Sequence, residues 1–63
     1  MSLYDYRRAR ELLRSDQPFY ALVMAAMMRA DTANLIALRM SFADTYAEVA
    51  ARYDAPGGRL EGE

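Results

Sequence analysis

Apolar positions recur along this chain at steps of three and four, the spacing of amphipathic α-helices. In the first such segment, four apolar residues fall on one side of a helix: Tyr6, Ala9, Leu12 and Leu13. Ser2 precedes the segment and Asp5 follows three residues later, so Ser2 is the expected N-cap. The pattern predicts a first helix over residues 3–14.

The second predicted helix, residues 18–30, is apolar around nearly its whole circumference. Pro18 suits a first helical turn, Asp16 is the expected cap, and Arg29 is the only charge. A helix that is apolar on every side is buried on every side, and two other helices of one short chain cannot enclose it. We therefore expect a second copy to cover part of it, and the expected self-association residues are Phe19, Tyr20, Ala21, Met24, Ala25 and Met28.

A third helix is predicted over residues 32–53, with Asp31 as its cap. Its apolar stripe keeps one phase throughout and contains Leu35, Leu38, Phe42, Tyr46, Val49 and Tyr53. Ser41 and Asp44 have the spacing of a capping box and could start a new helix, but the unbroken phase favours one helix, straight or bent. Pro and Gly at residues 56–58 end the pattern, and 56–63 is predicted to be a short flexible tail.

These elements predict an all-α fold with a single helical domain over residues 1–55. The short connection at Asp31 favours an antiparallel hairpin of the second and third helices. The first helix is expected to cross that hairpin. The three-helix unit is then expected to be completed as a homo-oligomeric bundle, with a dimer as the first expectation.

The amino-acid composition limits the possible functions of the chain more than it limits the possible folds. The chain has 63 residues, 54% of them hydrophobic, and neither Cys nor His. These absences exclude disulfides and remove the commonest metal ligands and the usual acid–base catalyst. Asp44 and Glu48 could meet on one helix face, but that face is polar and such pairs are usually solvated. We expect no enzymatic activity, no cofactor and no metal site.

The first helix carries a stripe of cations beside its apolar face. Arg7, Arg10 and Arg14 are spaced for one side of the helix, and Tyr4 and Tyr6 lie near its start. Arg with Tyr is a pairing that holds phosphates and stacks on bases, so these five residues are candidates for binding an anionic ligand or a partner. The alternative is that Glu11 pairs with neighbouring arginines while the others face water.

Charge and hydropathy also bear on partners and compartment. The front of the chain is positive and the back negative, which favours packing of one against the other within or between subunits. With a net charge of −1, nucleic acid is an unexpected partner. The longest uncharged run, residues 18–28, is shorter than the ~20 residues that span a bilayer. No export signal is apparent, so a cytoplasmic location away from membranes is expected.

Two segments carry a resemblance: Asp16-Gln-Pro-Phe-Tyr-Ala-Leu-Val-Met-Ala-Ala-Met and Arg52-Tyr-Asp-Ala-Pro-Gly-Gly. Together they resemble short uncharacterised helical proteins encoded in phage and prophage genomes, over most of the chain. In that group Pro commonly follows the Phe, where this chain has Ala43. The resemblance implies an accessory role and no particular functional residue.

Three functional hypotheses follow. The leading one is a non-enzymatic accessory protein that self-associates and blocks a host or defence protein. The second is a sponge that sequesters an anionic nucleotide signal with Arg and Tyr at a subunit interface. The third, which the acidic balance of the chain disfavours, is nucleic-acid binding through the Arg-rich first helix.

Overall fold

The computed structural model describes all 63 residues and contains helices and no strand. The order is α1 (Leu3–Arg14), α2 (Phe19–Arg29), α3 (Thr32–Ser41) and α4 (Ala43–Tyr53), followed by a 3-10 turn at Pro56–Gly58. The prediction of an all-α fold is confirmed.

Two of the predicted caps are present. The Ser2 hydroxyl accepts a hydrogen bond of 3.2 Å from the Asp5 backbone N–H at the start of α1. The Asp31 carboxylate accepts one of 2.8 Å from the Asn34 N–H at the start of α3. Each side chain satisfies a backbone donor that the first helical turn leaves free.

The third predicted cap is wrong, because Asp16 does not cap α2. Asp16 adopts a left-handed conformation with φ of 55°, and its N–H donates to the Leu13 carbonyl at 3.2 Å, which closes the end of α1. Asp tolerates this conformation better than most residues. The extended backbone of Pro18 then leads into α2, which has no side-chain cap.

The single helix predicted over residues 32–53 is also wrong, because the chain breaks at Phe42. Phe42 has φ of −132° and ψ of 58°, outside the helical region. Its N–H still bonds to the Leu38 carbonyl at 2.7 Å, and its carbonyl accepts from Tyr46 at 2.9 Å, so both helices stay hydrogen-bonded through the break. A continuous helix would be a rod of about 33 Å, whereas the break lets α3 and α4 pack against each other and against α2.

The core lies among α2, α3 and α4 and is small. Only Val23 and Met27, both on α2, are buried. The apolar stripe of α3 and α4 surrounds them, with Leu35, Leu38, Phe42, Tyr46 and Val49 half-buried and Tyr53 exposed. Because α2 supplies both buried residues, it is the central helix of the molecule.

The predicted crossing of α1 over the other helices is not observed. Every residue of α1 is exposed, and none of its Cα atoms comes within 8 Å of another helix. The connection to α2 contains Asp16 in its left-handed conformation, which sets the direction between the two helices. The central unit is therefore a three-helix cluster of α2, α3 and α4, with α1 projecting from it.

The molecule is extended and exposes much surface for its size. The Cα radius of gyration is 13.3 Å, against about 11 Å for a compact domain of this length. The accessible surface is 5572 Å² for a mass of 7.2 kDa, and a typical folded monomer of that mass exposes about 4,100 Å². The surplus of about 1,400 Å² is surface that one chain leaves uncovered.

The segment after α4 folds back on that helix. Gly57 and Gly58 both have positive φ, 61° and 70°, which turns the chain. The Arg52 guanidinium then donates to the Gly58 carbonyl at 2.8 Å and to the Glu63 carboxylate at 2.7 Å. The tail is thus docked on α4, and its predicted flexibility stays a prediction.

Candidate functional site

The outer side of α2 carries most of the residues expected to mediate self-association. Five of them cover about 140° of the helix circumference at 100° per residue, and we call them the α2 strip: Tyr20, Ala21, Met24, Ala25 and Met28. Tyr20 is 55% exposed and Met28 61% exposed. Ala21 and Ala25 are exposed, and Met24 is half-buried. None of the five is charged.

Phe19, the sixth predicted self-association residue, lies away from the strip. Its ring meets the Tyr20 ring edge-on at 5.1 Å between centroids and the Phe42 ring at 6.2 Å. Phe19 thus contacts the residue at the break between α3 and α4, although 61% of its surface is still exposed.

A groove of about 650 Å³ runs between α1 and α2, and we call it the α1–α2 groove. Its apolar lining comes from both helices: Tyr6, Ala9, Leu12 and Leu13 of α1, and Leu22, Ala25 and Ala26 of α2. Arg10 and Arg29 complete the lining with a cation from each helix. Ala25 belongs to both the groove and the α2 strip, so the two surfaces are adjacent.

The two arginines of the groove are not paired with carboxylates. The Arg10 guanidinium donates to the Tyr6 hydroxyl at 3.4 Å. The ion pairs of the molecule involve only Arg8 and Arg52 among the cations, so Arg10 and Arg29 remain available for an anion. Arg29 was predicted only as the end of an apolar helix. Being the sole charge in that helix was the sequence signal that could have marked it.

The predicted set of cations and tyrosines on α1 divides between two faces. Tyr6 and Arg10 line the groove, whereas Tyr4 lies beneath the Arg8 guanidinium, 5.2 Å from the ring centroid. Arg8 also pairs with Glu11 at 2.7 Å. Contact with Tyr4 and then with Glu11 raises the pKa of Arg8.

Arg7 and Arg14 are exposed and make no ion pair. They share the helix stripe of Arg10 by their spacing, so they extend the positive charge of the groove along α1. The five predicted residues therefore do not form one site, and only Tyr6 and Arg10 are brought together.

Arg52 is the most connected charged residue and was not singled out from the sequence. Besides Gly58 and Glu63, it binds Glu48 at 3.2 Å, one helical turn earlier. A hydrogen bond from Arg52, followed by one from the Leu60 N–H, lowers the pKa of Glu63 from 4.5 to about 2. This cluster fastens the tail to α4.

Metal sites and membrane-spanning helices were also considered. No group of three or more His, Cys, Asp or Glu side chains lies close enough to hold a metal ion. None of the helices has the length and apolar character to cross a membrane. The α2 strip and the α1–α2 groove are therefore the surfaces considered as candidate binding sites.

Comparison of the chain with known protein families, curated proteins and solved structures finds no match. The resemblance to phage-encoded proteins stays a prediction.

Proposed function

We propose that this chain is a non-enzymatic protein that self-associates and binds a protein partner, in the manner of a phage-type accessory protein that blocks a host or defence component. The supporting observation is the surplus of exposed surface, about 1,400 Å² beyond that of a compact monomer of this mass. Eight of the twelve exposed large hydrophobic residues lie on α1 and α2. Apolar surface of that extent marks protein interaction sites.

Self-association is assigned to the α2 strip. Its residues carry no charge, so two copies related by a two-fold axis can meet without like-charge repulsion. Ala21 and Ala25 are small and let two helix backbones approach closely, while Tyr20 and Met28 flank them. A standard interface buries roughly 800 Å² per partner, which the surplus surface exceeds.

Light scattering over a range of concentration tests the self-association. We expect a mass of twice 7.2 kDa at high concentration and a monomer for Met28→Glu, which places a charge in the strip. Met40→Glu is the matched control, because Met40 is 81% exposed but lies on α3 outside the strip. A monomeric wild-type chain at every concentration would contradict the proposal.

Binding of a protein partner is tested by capture from a host lysate with mass spectrometry. Wild-type chain is compared with Ala26→Arg, which obstructs the α1–α2 groove, and with Ala47→Arg on the exposed side of α4 as the control. We expect a protein that the wild type and the control retain and the groove variant loses. If all three chains retain the same background proteins, no specific partner exists in that lysate and the proposal fails there.

A second candidate function is sequestration of an anionic nucleotide. It is favoured by the Arg10 guanidinium and the Tyr6 hydroxyl, which are 3.4 Å apart and line the same groove as Arg29. A nucleotide at 100 times its dissociation constant would add about 2.7 kcal/mol to the free energy of unfolding. Thermal shift against cyclic and linear nucleotides, with Arg10→Gln as the comparison, tests this function, and an unchanged melting temperature throughout would exclude it.

Nucleic-acid binding through α1 is the weakest of the candidates, since the net charge of the chain is −1. If α1 binds nucleic acid through phosphate contacts, its affinity should fall steeply with added salt. Titration of labelled single-stranded and double-stranded DNA at two salt concentrations is the measurement. Affinity that salt does not change would exclude this function.

A further inference from the structure

The α1–α2 groove has the form of a seat for one more helix. Apolar residues of both α1 and α2 line the space between the two helices. Leu12 is 53% exposed and Leu13 72% exposed within that space. An amphipathic helix that lays its apolar side into such a groove is a recurring mode of peptide recognition.

A helix bound in the groove would also stabilise α1. A helix of 12 residues is marginal in water by itself, and no Cα atom of α1 lies within 8 Å of another helix. A helix seated in the groove would cover the apolar side of α1 and the outer edge of α2 together. The surplus surface is large enough for this, because a dimer through the α2 strip would leave about 600 Å² still uncovered.

The positive charge of the groove favours a different protein over a second copy of this chain as its binding partner. Arg10 and Arg29 line it, and Arg7 and Arg14 extend the positive charge along α1, all four without a carboxylate partner. Placing the groove of a second copy against this one would oppose arginines to arginines, which costs free energy. An occupant with carboxylates beside its apolar stripe would instead pair with them.

We propose that the α1–α2 groove binds an acidic amphipathic helix of a partner protein. The occupant presents apolar side chains at helical spacing to the groove floor, and its Asp or Glu side chains meet Arg10 and Arg29. This inference rests on the proposed function and names the class of partner. The neutral α2 strip pairs copies of the chain with each other, and the basic groove beside it selects a different protein.

The test uses two labelled 14-residue peptides and the full chain. Both peptides carry Leu on one helix face, one has Glu at every flanking position, and the other has Lys there. Fluorescence anisotropy should show binding of the Glu peptide that is about tenfold or more tighter than that of the Lys peptide. The Arg10→Glu, Arg29→Glu double variant should reverse this preference.

The matched control is the Arg39→Glu, Arg59→Glu double variant, which has the same net charge but lies outside the groove and should keep the wild-type preference. Circular dichroism of each variant verifies that it is folded. Equal binding of both peptides, or no binding of either up to about 1 mM, would overturn the inference. So would a control variant that reverses preference as fully as the groove variant, since that result reports net charge alone.

Light scattering of the same samples separates this inference from the function on which it rests. If the chain is a dimer but does not bind the Glu peptide, the proposed acidic partner helix is refuted and self-association is not affected. A monomer that binds the Glu peptide through Arg10 and Arg29 would support the groove and refute self-association through the α2 strip.

Discussion

Asp16 sets the direction in which α1 leaves the rest of the molecule. Its φ of 55° is unfavourable for residues with a branched Cβ, by about 1–2 kcal/mol. We expect Asp16→Val to relieve the strain by reorienting α1, because α1 is not closely packed against another helix. The free energy of unfolding of the other helices should change by less than about 0.5 kcal/mol.

The reorientation is measurable as a distance between α1 and α4. The chain lacks Cys, so spin labels can be placed with Glu11→Cys and Ala51→Cys and their separation measured by electron paramagnetic resonance in spin-diluted samples. Asp16→Val should shift the distribution, whereas Gln17→Val, with the extended backbone usual before Pro, should not. Identical distributions in both variants would show that Asp16 does not direct α1.

Glu63 gives the docked tail a dependence on pH. Its pKa falls from 4.5 to about 2 when Arg52 and the Leu60 N–H bind the carboxylate. The ionised form therefore stabilises docking at pH values above 4.5, and this contribution is lost as the pH falls towards 2. Because Arg52 and Glu63 are partly exposed, salt should weaken the contact.

Nuclear magnetic resonance can follow this titration at the Leu60 amide, which donates to the Glu63 carboxylate at 2.9 Å. We expect a midpoint near pH 2 in the wild type and none in Glu63→Gln. A midpoint at 4.5 would mean that the tail is undocked in solution.

At the scale of single residues, sequence reasoning succeeded where the interaction is local. Ser2 and Asp31 each bind a backbone N–H three residues later, so the cap and its partner lie in one short stretch of sequence. Asp16 has the same chemistry but a different role, because the preceding end of α1 takes its backbone N–H. The sequence does not say which of the two neighbouring helices such a residue serves.

At the scale of helices, the break at Phe42 distinguishes two helices from one. Ala43 is the first residue of α4, where the backbone N–H has no helical partner and Pro is tolerated. We expect Ala43→Pro to change the free energy of unfolding by less than about 1 kcal/mol. In one continuous helix the same change would cost about 3 kcal/mol or more.

Ala47→Pro is the control, because it places Pro inside α4 and should cost about 3 kcal/mol. Urea unfolding followed by circular dichroism measures both variants. Equal destabilisation by the two substitutions would show that α3 and α4 form a continuous helix in solution.

The break could not be derived from the pattern of apolar residues. The stripe from Leu35 to Tyr53 keeps one phase through Phe42, as it would in a continuous helix. What favours the break is contact between elements distant in sequence, including that of Phe42 with Phe19 and the packing of α4 on α2. The groove was missed for the same reason, since Arg10 and Arg29 line one groove only through the placement of two helices.

At the scale of the whole molecule, the fold leaves its central helix half covered. Val23 and Met27 are buried, while the neutral strip continues from them around α2 as far as Ala25, which also lines the basic groove. The sequence indicated that α2 has more apolar circumference than one chain can enclose, and the exposed strip agrees with that expectation. The division of the surplus exposed surface between the α2 strip and the α1–α2 groove depends on the position of α1, which the sequence did not reveal.

If a second copy covers the α2 strip, stability must depend on concentration, because association removes free monomer from the unfolding equilibrium. We expect the melting temperature of the wild type to rise by about 5 °C for each tenfold increase in protein concentration. Met28→Glu should melt at one temperature at all concentrations, and Met40→Glu should follow the wild type. A wild-type melting temperature that is independent of concentration would mean that a small two-residue core suffices for the monomer, and that the strip is free for another protein.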